Sequence, residues 1–325
     1  MDPPPSPVTL HLGALTVTVT GALVKEAGAD RLVLRAWAPT PTVHLDATGG
    51  PEPITLRVDN LPRRVRLRAA GAVEEEVTGT TRTLRLAAGA TREIGFSAPR
   101  DEVTFAVLGD TGDSATFIKA LRVAAAHGAD FLLHAGDLVY DDTQMPNIEA
   151  ILSDAALPVF VARGNHDYRN AQRIAFMRRL GPPYYSFRMG GATFVVLDNA
   201  DDYLPGLWRR STQYRWWSAW LGEPREGPLF LAMHKPPFDR RTGPRHAAMY
   251  DGRFARQLMS DIARARVRAV FTGHVHDNYL WVQDGIPYVV NGEGYESPQG
   301  VAQSRMAWVR VRGWDVAIEQ IPIWQ

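Results

Sequence analysis

The sequence predicts an α/β fold, a layered mixed β-sandwich flanked by helices, which follows an N-terminal all-β sandwich. Three observations predict it. In the first hundred residues, short runs alternate apolar and polar side chains, as half-buried strands do. Beyond that point, nearly continuous apolar runs alternate with helical stretches, which is typical of strands buried on both faces. Several of these apolar runs also end in Gly followed by a polar side chain.

The N-terminal part differs from the rest in its patterning. Leu15–Thr20 and Ile54–Val58 alternate strictly, and Pro- and Gly-rich turns separate such runs without any helical periodicity. Short strands at this spacing predict a small β-sandwich over residues 8–99. Residues 1–7 form a Pro-rich start that we expect to be disordered, and the α/β domain takes residues 100–325.

The α/β domain is predicted element by element from its apolar runs and helical stretches. The predicted strands are Val103–Leu108, Phe131–Ala135, Val159–Ala162, Thr193–Leu197, Leu229–Met233, Ala269–Phe271, Pro287–Val290 and Ala307–Val311. The predicted helices are Ala115–His127, Asn147–Ala156 and Ser211–Leu221. The last of these carries Tyr214, Trp217 and Leu221 at the spacing of one helical stripe, so we expect it to pack on a sheet.

Composition excludes several classes of protein and site. The 325 residues carry a net charge of +1, which gives no reason to expect a nucleic-acid or membrane partner. There is no Cys, so disulfides, thiolate metal sites and Cys nucleophiles are excluded. No apolar run reaches the roughly 18 residues of a membrane-spanning helix. The start lacks an apolar signal core, which fits a cytoplasmic protein, or an extracytoplasmic one whose signal peptide was removed. Composition indicates no particular oligomeric state.

Polar side chains follow the ends of five apolar runs. They are Asp110, Asp137, Asn165 with His166, His234, and His274 with His276. Because ligands bind outside the carboxyl ends of strands in open α/β sheets, we expect these side chains to meet at one edge. A mixture of carboxylate and imidazole suits Fe, Zn or Mn better than Ca or Mg. The set exceeds the four ligands of a tetrahedral site, which indicates two metals sharing a carboxylate.

The ordered motifs carry a resemblance to a known superfamily. They are Gly109–Gly112, Gly136–Tyr140, Gly164–Asp167, Met233–His234 and Gly273–His276. In this order they resemble the calcineurin-like metallophosphoesterases, and more closely the purple acid phosphatases, over residues from about 103 to 312. Two positions favour the purple branch. Gly112 stands where most of the superfamily has a ligating His, and Tyr140 stands where the purple enzymes carry a tyrosinate ligand.

The resemblance implies a ligand set and two metals. It implies Asp110, Tyr140 and His276 on the first metal, Asn165, His234 and His274 on the second, and Asp137 bridging both. A tyrosinate at neutral pH needs a strong Lewis acid, which fits Fe(III), beside a second divalent Zn, Fe or Mn. His166 and His246 resemble the outer-sphere His residues next to the substrate phosphate. For Lys235 two interpretations stay open, a solvated side chain and a phosphate contact.

The function implied by the resemblance is an acid phosphatase, a phosphomonoesterase acting on small phosphorylated substrates. Metal-bound hydroxide would attack phosphorus while His166 protonates the leaving group or orients the phosphate. One alternative is a phosphodiesterase acting on cyclic nucleotides or glycerophosphodiesters, and another is a binding module with a vestigial metal site. Protein Ser/Thr phosphatase activity is disfavoured, because the first motif lacks its His. The N-terminal sandwich resembles in position the fibronectin type III-like domain of plant-type purple acid phosphatases.

Overall fold

A computed structural model shows four β-sheets in the residues that it describes. These residues are 5–47, 53–70, 73–86, 92–141, 143–169, 171–201, 211–241, 248–294 and 301–324. The predicted catalytic His246 and residues 1–4 of the Pro-rich start lie outside the described residues. Two sheets come from the first hundred residues and two from the remainder, and helices flank the second pair. The predicted fold class is therefore confirmed.

Ten strands form the N-terminal pair of sheets. They are β1 (Val8–Leu12), β2 (Leu15–Thr20), β3 (Ala22–Ala27), β4 (Arg31–Ala36), β5 (Thr42–Ala47), β6 (Ile54–Asp59), β7 (Arg66–Ala69), β8 (Val73–Thr78), β9 (Thr81–Leu86) and β10 (Arg92–Ser97). One sheet has the order β1-β2-β5-β10-β7 and the other has the order β3-β4-β6-β9-β8. In β2, alternation buries Leu15, Val17 and Val19 in the core while the Thr residues between them stay more exposed.

Eleven further strands form the second pair of sheets. They are β11 (Glu102–Leu108), β12 (Phe131–His134), β13 (Val159–Val161), β14 (Tyr185–Met189), β15 (Ala192–Val196), β16 (Leu229–Ala232), β17 (Val267–Thr272), β18 (Asn278–Gln283), β19 (Ile286–Asn291), β20 (Arg305–Arg312) and β21 (Asp315–Pro322). One sheet has the order β13-β12-β11-β20-β21 and the other β14-β15-β16-β17-β19-β18. Both are mixed: β11, β12 and β13 run parallel, as do β15, β16, β17 and β19.

An aromatic core joins the two sheets of this second pair. Phe105 of β11 is fully buried and stacks on Phe131 of β12 with ring centroids 5.3 Å apart. From the other sheet, Phe194, Phe230 and Phe271 meet the Phe105 ring edge-on. Edge-to-face and offset contacts are the arrangements that aromatic pairs prefer. The Phe residues of the apolar runs therefore pack the two sheets against each other.

Five helices cover the outer faces of these two sheets. They are α1 (Ala115–Ala126), α2 (Met145–Asp154), α3 (Gln172–Arg179), α4 (Thr212–Ser218) and α5 (Gly252–Arg264), with a short 3-10 turn at Val301–Gln303. The first three pack on the β11 sheet, and the last two pack on the β16 sheet. Within the described ranges, no helix is long and apolar enough to cross a bilayer.

Helix boundaries differ from the prediction for local reasons. Helix α2 begins two residues earlier than predicted, because Pro146 is favoured in a first helical turn. Helix α4 ends at Ser218, since Trp220 and Leu221 donate to carbonyls three residues back and tighten the chain into turns. Helices α3 and α5 were not predicted, although Asp251 accepts hydrogen bonds from the first turn of α5, a typical start signal.

The two parts of the chain meet at the outer edge of β13. The Asn60 side chain accepts a hydrogen bond from the backbone N of Val159 at 2.9 Å and donates to its carbonyl at 3.1 Å. The same amide also donates to the Ala36 carbonyl at 2.7 Å. One side chain thus bonds both backbone groups of Val159 at the edge of the sheet. Unpaired groups on an edge strand can otherwise pair with another chain. Beside it, Lys25 of β3 pairs with Glu149 of α2 at 2.7 Å.

Candidate metal centre

The predicted ligands lie just beyond strand ends on one side of the two sheets. Asp110 and Asp137 follow β11 and β12, Asn165 follows β13, and His234 and His274 follow β16 and β17. Parallel strands bring their carboxyl ends to a common edge, where ligands of α/β proteins bind. The aromatic core holds the two sheets so that both present these ends to the same space.

The backbone is left-handed at four of the predicted ligands. Seven described residues other than Gly have a positive φ, and four of them are Asp110 (56°), Asp137 (54°), His274 (69°) and His276 (52°). Such conformations cost on the order of 1–3 kcal/mol each and cluster at functional sites. Their concentration here marks this edge as the functional edge of the sheets.

Asp110, Tyr140 and His276 lie together on one side of the site. The Asp110 carboxyl is fully buried, and its Oδ2 accepts a hydrogen bond from the backbone N of His274 at 2.7 Å. Its Oδ1 accepts no hydrogen bond from a described residue, while Nε2 of His276 lies 3.4 Å away. The Tyr140 hydroxyl lies 3.4 Å from the same Nε2. A buried carboxylate oxygen without a donor is costly, and a cation between these three groups would satisfy it.

Asp137, Asn165, His234 and His274 form the other side. Nε2 of His234 lies 2.9 Å from Oδ1 of Asn165, 3.4 Å from Oδ2 of Asp137 and 3.2 Å from Nδ1 of His274. Nδ1 of His234 faces the Ala135 carbonyl at 2.8 Å and donates to it. A ligating His usually donates its other ring N–H in this way, which leaves Nε2 for the metal. Ligand atoms of Asp137, His234 and His274 all lie within 4.8 Å of one another.

Two glycines make these approaches sterically possible. A Cβ at Gly136, whose φ is +95°, would stand 2.5 Å from Nδ1 of His234. A Cβ at Gly273 would overlap the Asp110 carboxylate. The Gly that ends each of these apolar runs is therefore needed for close packing of ligands as well as for the turn.

The electrostatics of the site favour a cation. Burial lowers the pKa of His234, but the carboxylates of Asp137 and Asp110 outweigh it and raise that pKa to about 10. Burial and the charge of His234 lower the pKa of His274 to about 2, so this imidazole stays neutral, the form that binds metal. The Asp110 pKa is raised, chiefly by burial. The two buried carboxylates favour a positive charge between them. A proton on His234 supplies that charge here, and a metal ion would supply it in the same way.

Comparison with known proteins assigns the part of the chain that carries this cluster to a family. The family model for calcineurin-like phosphoesterases matches residues 103–278, which run from β11 to the start of β18 and include all seven predicted ligands. The chain belongs to the calcineurin-like phosphoesterase family. The superfamily resemblance predicted from the ordered motifs is thereby confirmed.

Two groups of relatives are similar in sequence. Purple acid phosphatase 21 of Arabidopsis thaliana is 30% identical over 211 residues, which cover 57% of this chain and 46% of that protein. Serine/threonine-protein phosphatase CPPED1 of Rattus norvegicus is 29% identical over 182 residues, which cover 50% of this chain and 58% of that protein. The chain spans about half the length of the curated relatives it matches. The predicted likeness to purple acid phosphatases is confirmed.

A solved structure extends the likeness beyond the matched region. Purple acid phosphatase PPD1 from yellow lupin (Lupinus luteus) seeds has a TM-score of 0.59 at 14% identity, over 94% of this chain and 72% of that chain. At this identity the likeness shows a shared fold. It covers most of the N-terminal sheets as well as the phosphoesterase region.

His166 stands beside the ligands at the solvent side of the site. Its backbone N donates to Oδ1 of Asp137 at 2.8 Å, while its Nε2 lies 4.0 Å from Oδ2 of that residue. Its ring lies against the Tyr140 ring, with centroids 4.5 Å apart. Burial lowers the pKa of His166, although the negative charge of Asp137 acts to raise it. The side chain is 27% exposed, so an outer-sphere group at this position would reach a bound substrate.

A cavity of about 450 Å³ opens next to the predicted ligands Asn165 and His274, which form part of its wall. Its walls also include Tyr168, Arg169 and Lys235. Lys235 is only 2% exposed, so the interpretation as a solvated side chain is wrong. Burial lowers its pKa to about 8. The candidate site therefore has a cavity with two cationic side chains beside the predicted ligands.

Two buried polar residues that the sequence analysis did not single out hold the ligand loops in place. Asp167 accepts hydrogen bonds from the backbone N of Val139 and of Gly164, both at 2.8 Å, and so ties the loops of Asp137 and Asn165 together. Burial raises its pKa to about 7. Asn199 accepts from the backbone N of His234 and Lys235 and donates to the Lys235 carbonyl. Only Asp167, inside the Gly-Asn-His-Asp motif, carried a sequence signal.

Proposed function

We propose that the chain is a metal-dependent phosphoesterase that hydrolyses phosphate monoesters at a dinuclear centre. The observation that carries this proposal is the meeting of seven side chains, from loops far apart in the sequence, around two buried carboxylates. Family membership supports hydrolysis of phosphate esters. Similarity to purple acid phosphatases supports the monoester.

The proposed ligand division follows the two sides of the site. Asp110, Tyr140 and His276 would hold the first metal, Asn165, His234 and His274 would hold the second, and both would share Asp137. The Asp110 Oδ1 that lacks a hydrogen-bond donor supports the first group. The bond from Nδ1 of His234 to the Ala135 carbonyl, which leaves Nε2 as the atom facing Asn165 and His274, supports the second. The tyrosyl ligand favours Fe(III) at the first position, with divalent Zn, Fe or Mn at the second.

The chain's own residues orient the substrate and move the proton. When bound, a metal pair supplies an activated water and neutralises charge that develops on the phosphoryl oxygens. Lys235 and Arg169 attract the substrate anion into the cavity and orient its free oxygens. His166, on the solvent side, donates a proton to the leaving oxygen. Asp167 and Asn199 fix the loops, so that the ligands need little rearrangement. A small phosphorylated molecule fits a cavity of about 450 Å³.

Paired substrates test this proposal. The holoprotein is assayed with p-nitrophenyl phosphate and with bis-p-nitrophenyl phosphate, and its metal content is measured on the same preparation. We expect two metals per chain and a higher kcat/KM for the monoester. A higher value for the diester would favour the phosphodiesterase alternative. A chain that binds no metal and hydrolyses neither ester after reconstitution with Fe and Zn would favour the binding module.

A phosphoprotein substrate is a second candidate, favoured by the name of one relative. Serine/threonine-protein phosphatase CPPED1 matches half of this chain, although the first motif here lacks the His of protein phosphatases. A phosphoserine peptide therefore belongs in the same assay. Faster release of phosphate from the peptide than from small esters would replace the small substrate proposed above.

A further inference from the structure

A second group of charges lies where the N-terminal sandwich meets α2 and α3. It surrounds a cavity whose walls include Lys25, Arg35, Asn60, Thr81, Glu149 and Arg179. Its volume of about 180 Å³ is well above the space that a single water molecule needs. None of these residues belongs to the metal centre or to the cavity beside it.

Arg35 is buried in this cavity wall without a countercharge in contact. The residue is 8% exposed. Its Nη2 donates to the Val159 carbonyl at 3.4 Å, its Nε has no acceptor, and no described carboxylate forms an ion pair with it. Burial lowers the Arg35 pKa to about 10, although Asp59 and Glu149 act from a distance to raise it. A buried guanidinium with one long hydrogen bond is costly unless something else completes it.

The nearby carboxylates are already engaged by other groups. Asp59 accepts from Nε of Arg57 and from the Thr81 hydroxyl, each at 2.8 Å. Glu149 pairs with Nζ of Lys25 at 2.7 Å and with the Arg179 guanidinium. The cations that line the cavity are Lys25, Arg35 and Arg179, and the carboxylates are Asp59 and Glu149. Three cations facing two carboxylates leave an excess of one positive charge, which a bound oxyanion would balance.

We propose that this interdomain cavity binds a tetrahedral oxyanion of the phosphate class. The free donors of the Arg35 guanidinium suit two oxygens of such an anion, because its planar fork matches phosphate geometry. The Thr81 hydroxyl and the Lys25 and Arg179 cations line the same space. The anion would connect the N-terminal sandwich to α2 and α3, and so stabilise the docking of the two parts. The proposal is independent of the reaction at the metal centre.

Phosphate stoichiometry tests the proposal on the full-length holoprotein. Equilibrium dialysis with radiolabelled inorganic phosphate is compared for the wild type, Arg35→Met, Arg179→Met and Arg178→Met. Arg178 is the matched control, since it neighbours Arg179 on α3 but does not line the cavity. We expect Arg35→Met to lose one phosphate equivalent, Arg179→Met to weaken that binding about tenfold, and Arg178→Met to match the wild type. Asp137→Asn identifies the equivalent bound at the metal centre.

The outcomes separate the two sites and the two anions. The proposal is overturned if only Asp137→Asn loses a bound phosphate, while Arg35→Met and Arg179→Met bind as much phosphate as the wild type with the same affinity. If Arg35→Met fails to fold, Arg179→Met and its control carry the test unaided. Sulfate is then added as competitor. Displacement of the Arg35-dependent equivalent by sulfate indicates a general site for tetrahedral oxyanions, and retention indicates one selective for phosphate.

Discussion

At the scale of single residues, Tyr140 distinguishes one candidate metal from another. Its hydroxyl lies 3.4 Å from Nε2 of His276, and its ring packs on His166. A free phenol has a pKa of about 10, so coordination as an anion at neutral pH requires a strong Lewis acid. Zn and Mn in the divalent state meet that requirement less well than Fe(III). Visible absorption of the holoprotein would therefore test both the metal and the predicted ligand.

Replacement of Tyr140 by Phe should abolish visible tyrosinate-to-iron absorption. The ring stays, so we expect the free energy of unfolding to change by no more than about 0.5 kcal/mol. Absorption spectra and urea unfolding of the variant give both quantities. Tyr168→Phe is the control, because Tyr168 lines the neighbouring cavity without belonging to the ligand set. A Tyr140→Phe protein that keeps its absorption would refute the ligand assignment.

His166→Ala should reduce turnover far more than metal content. The contact of this residue with Asp137 runs through its backbone N, at 2.8 Å, which Ala retains. The substitution removes the imidazole that we propose as the general acid. We therefore expect kcat on p-nitrophenyl phosphate to fall by about 10²- to 10⁴-fold. Metal per chain, measured by mass spectrometry on the same sample, should stay within the error of the wild type. Parallel loss of metal and activity would make His166 a structural residue.

Most of the site was predictable at this scale, and the remainder depended on contacts between distant residues. The seven predicted ligands belong to ordered motifs at the ends of apolar runs, and the structure brings these side chains together. Asn199 and the buried state of Lys235 were not predictable. Asn199 acts on the backbone of residues 35 and 36 positions later in the chain, and no local pattern reports such a contact.

At the scale of elements, most strands were predictable and their partners were not. Apolar runs predicted eight of the eleven strands from β11 onward to within a few residues, because burial on both faces demands such runs. Strands β14, β18 and β21 were not predicted, since they are less buried on one face and their sequences are not continuous apolar runs. The division into two sheets and the position of β20 between β11 and β21 depend on pairing across the chain. Helix α3 was missed because its residues are largely charged or exposed, with Gln172 and Phe176 buried.

Asn60→Ala should destabilise the protein through the edge of β13. The substitution removes two hydrogen bonds to Val159, so its buried N–H loses its acceptor and its carbonyl keeps, among described donors, only the 3.4 Å bond from Arg35. We expect the free energy of unfolding to fall by about 2–4 kcal/mol, measured by urea denaturation.

Asn60 also has a positive φ of 67°, so Asn60→Gly separates strain from bonding. Relief of strain alone would stabilise the Gly variant, as we expect for Asp284→Gly, whose φ is 53° at a hairpin turn. A stable Asn60→Gly protein would show that the cap contributes little.

At the scale of the whole molecule, the sequence predicted two parts but not how they dock. The contacts between them are single side chains such as Asn60 on Val159 and Lys25 on Glu149, separated by 99 and 124 positions. These residues look like ordinary surface residues in the sequence. The N-terminal sandwich covers the open edge of the sheet at β13. None of its described residues lines the cavity beside the predicted ligands. The N-terminal sandwich thus supports the site through the stability of the β13 strand, whose end carries Asn165.

The acid stability of the molecule should depend on Glu149 at this junction. Burial acts to raise its pKa, but Lys25 and Arg179 outweigh burial and hold the pKa below its ordinary value. The charge pairing therefore stabilises the fold fully above the unfolded pKa of about 4.3, and this contribution is lost as the pH falls through the lower folded pKa.

Because the pair is partly exposed, Glu149→Gln should cost at most about 1 kcal/mol at pH 7. The gap between wild type and variant, measured by urea unfolding at pH 7, 5 and 3, should close at the acid end. Glu74→Gln is the control, since its pair with Arg85 spans 3.9 Å on the surface and should contribute nothing measurable. If the difference in free energy of unfolding between wild type and Glu149→Gln stays constant across this range, packing and not charge stabilises the contact between the two parts.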